Sequence, residues 1–179
     1  MALLAEEIVE EWLNRQGYFT IRGIRLGVDE LDLLAVMVRS GTLLDCRHVE
    51  VQASMRPVSY ISKVPKSIRK AGRAANSAAR SPEELVEGVA EWVEGKFHAP
   101  RKRELMETLW GGEWSSELVV NNVKSADEVK LIQQHGISIH RLPDIVSEIQ
   151  SSDFPINSAA GSDFIDLIQM GAYIRATRD

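Results

Sequence analysis

The chain has 179 residues, 44% of them apolar, with a formal net charge of −5, a composition that fits one compact domain and an appended tail. No apolar run approaches the roughly 20 residues of a membrane span. The first residues, MALLAEEIVEEWL, carry carboxylates where an export signal carries basic groups. A single cysteine, Cys46, excludes an internal disulfide and fits a reducing, cytoplasmic setting.

The first element is a helix over 3–16, where Leu4, Ile8, Val9, Trp12 and Leu13 form one stripe between glutamates and Gly17 is the stop. YFTIRGI (18–24) reads as a first strand and VDELDLLAVMV (28–38) as a second. Ser40-Gly41 supplies a turn, and TLLDCRHVEVQA (42–53) returns as a third strand, making a hairpin.

A basic segment follows. Residues 56–80 hold Arg56, Lys63, Lys66, Arg69, Lys70, Arg73 and Arg80 and no acid, so they carry +7 and the rest of the chain −12. A local charge of that size is an electrostatic footprint for phosphate, with a solvated basic helix as the alternative. Ser81-Pro82-Glu83-Glu84 is a capping box with proline at the first helical position, opening a helix to about Phe97. A short helix over 101–110, a GGEW loop and a fourth strand, ELVVNNV (117–123), come next. Ser125 and Glu128 form a second expected capping box for a helix over 126–136. ISIHRL (137–142) is a fifth strand, and Pro143 opens a helix to about Ile149. The small and polar stretch 151–162 reads as a linker, and 163–174 resumes helical spacing with Phe164, Leu167 and Ile168 on one side. The order predicts a mixed α/β domain with an antiparallel start and a crossover near the end.

Chemistry is concentrated in the hairpin. Asp32 lies inside the second strand, and Glu50 and Gln52 inside the third. With a two-residue repeat, Glu50 and Gln52 share a face. Asp32 and Glu50 are placed to approach across the hairpin, where two hard carboxylates suit Mg²⁺ or Mn²⁺. The alternative is the solvent face of an edge hairpin. His48 shares the Glu50 face, with a plain strand residue as its default. Tyr60 reads as a packed tyrosine, with stacking or a phosphate contact as its alternative, and Trp110 and Trp114 as core anchors or an interface patch.

GVDELDLLAV, a turn, and HVEVQAS, preceded by an acidic helix ending in LNRQGYFT, resemble the PD-(D/E)XK nuclease superfamily and its resolvase-like branch. The likeness covers residues 3–54 and extends loosely over 117–149. It implies a restriction-endonuclease-like fold over 1–150, a mixed central sheet of about five strands flanked by helices, with 56–110 as a basic helical insert and 151–179 as linker and C-terminal helix. It implies a metal-dependent nuclease acting on DNA, with Asp32, Glu50 and Glu6 as Mg²⁺ or Mn²⁺ ligands and Glu10 as the alternate to Glu6. Gln52 stands where the pattern has lysine. Glutamine orients a water but adds no positive charge, so a basic residue from the downstream segment, Lys63 or Lys66, is expected to serve, or the fold has kept binding without cleavage. Lys63, Lys66, Arg69, Lys70 and Arg73 are the expected phosphate-backbone contacts, with little sequence readout. Homodimers are frequent in that superfamily, which makes the tail a candidate interface.

Overall fold

The computed structural model describes residues 2–54, 56–151 and 153–156. The expected tail helix at 163–174 lies outside the described residues. Helix α1 (Ala2–Gln16) leads into three strands, β1 (Phe19–Leu26), β2 (Asp29–Arg39) and β3 (Thr42–Gln52). Helices α2 (Lys66–Lys70), α3 (Pro82–Phe97) and α4 (Pro100–Leu109) precede β4 (Ser115–Val120), followed by α5 (Ala126–Gln134), β5 (Ser138–Arg141) and α6 (Leu142–Ser151). The strands form one sheet in the order β1-β2-β3-β4-β5. The first three are antiparallel; β3–β4 and β4–β5 are parallel. The fold is therefore α/β, a five-stranded mixed sheet flanked by helices. No helix among the described residues is long and apolar enough to cross a membrane.

The hairpin turn is a two-residue connection. Ser40 (φ 51°) and Gly41 (φ 76°) both take left-handed conformations, as a turn matched to strand twist requires, and they fix Arg39 opposite Thr42. The register pairs Leu33 with Val49 and Leu34 with His48, so Asp32 stands at the level of Glu50. One sheet face carries Leu33, Ala35, Val49, Val51 and Val119. It is covered by Ile8, Val9, Trp12 and Leu13 of α1 and Ile145 and Ile149 of α6. On the other face Leu118 and Val120 meet Val89, Val93 and Phe97 of α3 and Ile132 of α5.

The basic segment is less helical than expected. Only Lys66–Lys70 winds into a helix, because Pro57 and Pro65 lack N–H groups and Gly72 (φ 97°) ends the turn. The Ser81 capping box forms as read, its hydroxyl accepting from Glu84 N and the Glu84 carboxylate accepting from Ser81 N. The second box forms only by half. Ser125 accepts from Glu128 N, but the fully buried Glu128 carboxylate turns away. It accepts instead from Ile61 N (2.7 Å), Ser62 N (2.8 Å) and Ser62 Oγ (2.5 Å), tying the start of the basic segment to α5.

Close packing completes the tether. A Cβ on Gly88 in α3 would lie 2.6 Å from the Lys63 carbonyl oxygen, so the backbone at Lys63 lies directly on the helix. The Glu128→Ala variant strips three donors of their acceptor, two of them in a buried loop. It should lower unfolding stability by ~2–4 kcal/mol in chemical denaturation. A loss within 0.5 kcal/mol would show that the loop is held elsewhere.

Candidate active site

Glu50 is the centre of the polar face. It is 0% exposed, near the C-terminal end of β3, with its carboxylate on lysines of α3 and α4. Three donors converge on it. Lys96 Nζ, from the last turn of α3, lies 2.7 Å from Oε2. Lys102 Nζ, from α4, lies 2.7 Å from Oε1, and His48 Nε2 lies 2.9 Å from the same oxygen. Lys102 is itself buried, and its ammonium also donates to the Lys96 carbonyl at 2.8 Å, capping the C-terminal turn of α3. The side chain of Lys96 keeps 27% of its surface exposed.

These neighbours set the charge states. Burial alone would raise the Glu50 pKa, but the His48 hydrogen bond and the Lys96 and Lys102 ammonium groups outweigh it, and the carboxyl is held down to about 2. Asp32 shows the opposite balance. It is 8% exposed, and burial, then the negative charge of Glu50, raise its pKa to about 7. Lys96 and the Val51 N–H, which donates to Asp32 Oδ2 at 2.7 Å, offset this only in part. Burial also pushes the His48 imidazole down, so it is neutral, with Nε2–H donating to Glu50. Its Nδ1 has no hydrogen-bond partner among the described residues.

The two strand carboxylates are thus brought together as expected, with protonated Asp32 able to hydrogen-bond Glu50. Both are buried, so the solvent-face alternative does not hold. Glu6 lies half-buried on α1 within electrostatic reach of Glu50, Lys96 and Glu30; burial and the two glutamates raise its pKa, while Arg22 and Lys96 oppose them. It does not close a three-carboxylate cluster. Among the described residues, no group of three or more His, Cys, Asp and Glu side chains is arranged to hold a metal ion. The alternate, Glu10, is engaged by Arg22 Nε at 3.1 Å and by the Thr20 hydroxyl at 3.1 Å.

Beside the two lysines on Glu50 opens a cleft of about 520 Å³, within the size range of ligand sites. Gln52, Lys96 and Lys102 line it together with Lys63, Lys66 and Arg69. Of the five basic residues read as phosphate contacts, those last three face the cleft. Arg73 is bound to the Glu84 carboxylate and the Ala79 carbonyl, and Lys70 is exposed outside the cleft lining. Arg80 is spent on Ser62 and stacks over Tyr60 at 4.2 Å. Trp114 packs on Leu31, Leu34 and Met106, as a core anchor does.

The basic residues that touch Glu50 are not Lys63 or Lys66 but Lys96 and Lys102. They are 46 and 52 residues from it in sequence. Lys96 stands in an amphipathic helix end and Lys102 in a charged PRKREL run, where lysines ordinarily face solvent.

No family model matches the chain, and no curated protein matches it. Among solved structures it is similar to the crystal structure of a protein of unknown function, AF1548, at 14% identity and a TM-score of 0.43. The match covers 79% of this chain and 58% of that one, so this chain spans less than two thirds of its length.

The raised Asp32 pKa has a stability consequence. The folded state holds this proton more tightly than the unfolded chain, whose value is 3.8, so the stabilising contribution is complete below pH 3.8 and lost as pH rises through about 7. Asp32→Asn should therefore match the wild type near pH 4 and exceed it at pH 8, by an amount on the order of a few kcal/mol. Parallel pH-stability curves for the two proteins would refute the assignment.

Proposed function

We propose that this chain is a nuclease-like domain of restriction-endonuclease type, acting on DNA phosphodiesters with Asp32 and Glu50 as the centre and Lys96 in the place of the missing E-X-K lysine. The observation that carries the reading is the Lys96 ammonium, held on Glu50 at the edge of a basic cleft that also contains Gln52. A cation already sits against the paired carboxylates, and it reaches them from a helix instead of from position 52.

The residues suit a hard divalent cation. Burial and repulsion from Glu50 leave Asp32 short of positive charge, a deficit that a cation between the two carboxylates would relieve. Asp32 and Glu50 would hold Mg²⁺ or Mn²⁺, with Glu6 within electrostatic reach as a further acidic group. Bound there, the ion supplies Lewis-acid stabilisation and an acidified water. Lys102 and His48 fix the Glu50 carboxylate in one orientation. Gln52 orients a water or a phosphate oxygen by hydrogen bonding, and Lys96 offsets charge on the scissile phosphate. Lys63, Lys66 and Arg69 track the strand through its phosphates. In this reading the protein works in the cytoplasm on DNA, and a homodimer is one arrangement open to it.

One observation favours a second reading, a catalytically inactive module of the same fold that binds nucleic acid or a protein partner. Both Glu50 oxygens already accept from Lys96, Lys102 and His48, so the carboxylate is satisfied without a metal.

Calorimetric titration of Mn²⁺ separates the two. Wild type should bind saturably, and Asp32→Ala should abolish the heat. Asp32→Ala is the informative variant, because Glu50→Ala strands Lys102 without its carboxylate and should cost ~3–5 kcal/mol in folding. Lys96→Met should bind Mn²⁺ at least as tightly as wild type while losing cleavage of branched, nicked or single-stranded DNA. Absence of Mn²⁺ binding by wild type, with and without DNA, would leave only the binding module.

A further inference from the structure

Resting on the nucleic-acid reading, the geometry points to the state of the substrate: we infer that the cleft takes an unpaired nucleotide, its base stacked on Trp92 and its phosphates on the basic wall. Trp92 and Lys96 are one turn apart on the same face of α3, and both line the cleft. Trp92 is half-buried. Its inner edge packs against Phe97 at 5.9 Å between centroids in an edge-on arrangement, and Phe97 in turn lies 5.0 Å from the His48 ring that donates to Glu50. The indole is therefore braced against the same cluster that holds the carboxylates, while part of its surface is left to the cleft.

The surroundings leave room beside it. Gly95 carries no side chain, and a Cβ built there would meet nothing within 4 Å. At Gly88, one turn before Trp92, the backbone at Lys63 lies against the helix. That contact holds the segment bearing Lys63, Lys66 and Arg69 against α3, so one cleft is lined by the indole and by these cations together. Asp29 and Glu30 also line it.

That pairing of surfaces suits only one form of nucleic acid. A duplex presents phosphates and groove edges, with its base faces stacked internally, and has no use for an aromatic ring set back in a concave site. A single strand, a flap or a frayed end offers both a phosphate and a free base face, and stacking on an aromatic side chain contributes about 1–3 kcal/mol per base.

The test is fluorescence anisotropy in EDTA, so that neither metal binding nor cleavage enters the readout. Fluorescein-labelled oligothymidylate of about 15 nucleotides is compared with a duplex of equal length. Wild type should bind the single strand more tightly. Trp92→Ala should weaken single-strand binding roughly 5- to 100-fold and leave duplex binding within about twofold, while Trp92→Phe keeps most of the affinity. If Trp92→Ala does not fold in a thermal melt, Trp92→Leu, apolar but without a π-face, is read the same way. Equal or tighter binding of the duplex, or an equal loss for both ligands on removing the indole, overturns the inference and leaves the nucleic-acid reading standing. Failure to bind either ligand overturns both.

Discussion

A carboxylate with no exposed surface in the middle of a sheet must be answered by cations, and Glu50 imposes that requirement on the whole domain. Uncompensated, a buried carboxylate costs several kcal/mol even after the protein relaxes. The cations come from outside the sheet, Lys96 at the end of α3 and Lys102 on α4. The long crossover between β3 and β4 is thus a structural part of the domain. It closes over the polar face, and the turn between α3 and α4 is held by Lys102, which bonds Glu50 and the Lys96 carbonyl together.

Such a cluster is not the economical way to stabilise a sheet. Replacing a buried ion pair by apolar residues of similar volume is often neutral or favourable. The same positions on the opposite face of the hairpin are filled by Leu33, Val49 and Val51, so an apolar solution exists within the same two strands. Strongly perturbed carboxylates next to a cleft are candidates for function, because active sites are where such shifts cluster. Asp32 supports that view, since nothing on its own strand neutralises it.

The hairpin and the placement of its polar residues were legible because both rest on local pattern. Strand periodicity alone puts Glu50 and Gln52 on one face, and Ser40-Gly41 sets the register that brings Asp32 level with Glu50. The Ser81 cap was legible for the same reason. What local pattern could not reveal is where a long side chain ends. Lys102 sits in a run of charges and yet is 1% exposed, because its four-carbon stem carries the ammonium through the packing to Glu50. Glu128 was misread in the complementary way. A capping box is one use for a glutamate at that position, but buried N–H groups at Ile61 and Ser62 compete for the same carboxylate and win. Both cases are tertiary demands overriding a local motif.

The charge balance at the centre also constrains what can enter it. Glu50 is ionised, Lys96 and Lys102 face it, and Asp32 is poised near neutrality. With both lysines charged, the group carries no net charge when Asp32 is ionised and one positive charge when it is not. Neither state carries net negative charge, so in the proposed reading a divalent cation would be held by direct coordination to the two carboxylates and not by long-range attraction. In the proposed reading a divalent cation would compete with Lys96 for Glu50 Oε2, while Lys102 stays buried on Oε1. Both lysines line the cleft, but Lys96 keeps 27% of its side chain exposed and Lys102 only 2%, so Lys96 is the one with room to move. Were a divalent cation to enter, it would displace Lys96 from Glu50 and turn that positive charge toward the cleft, so the proposed reading does not require a lysine at position 52.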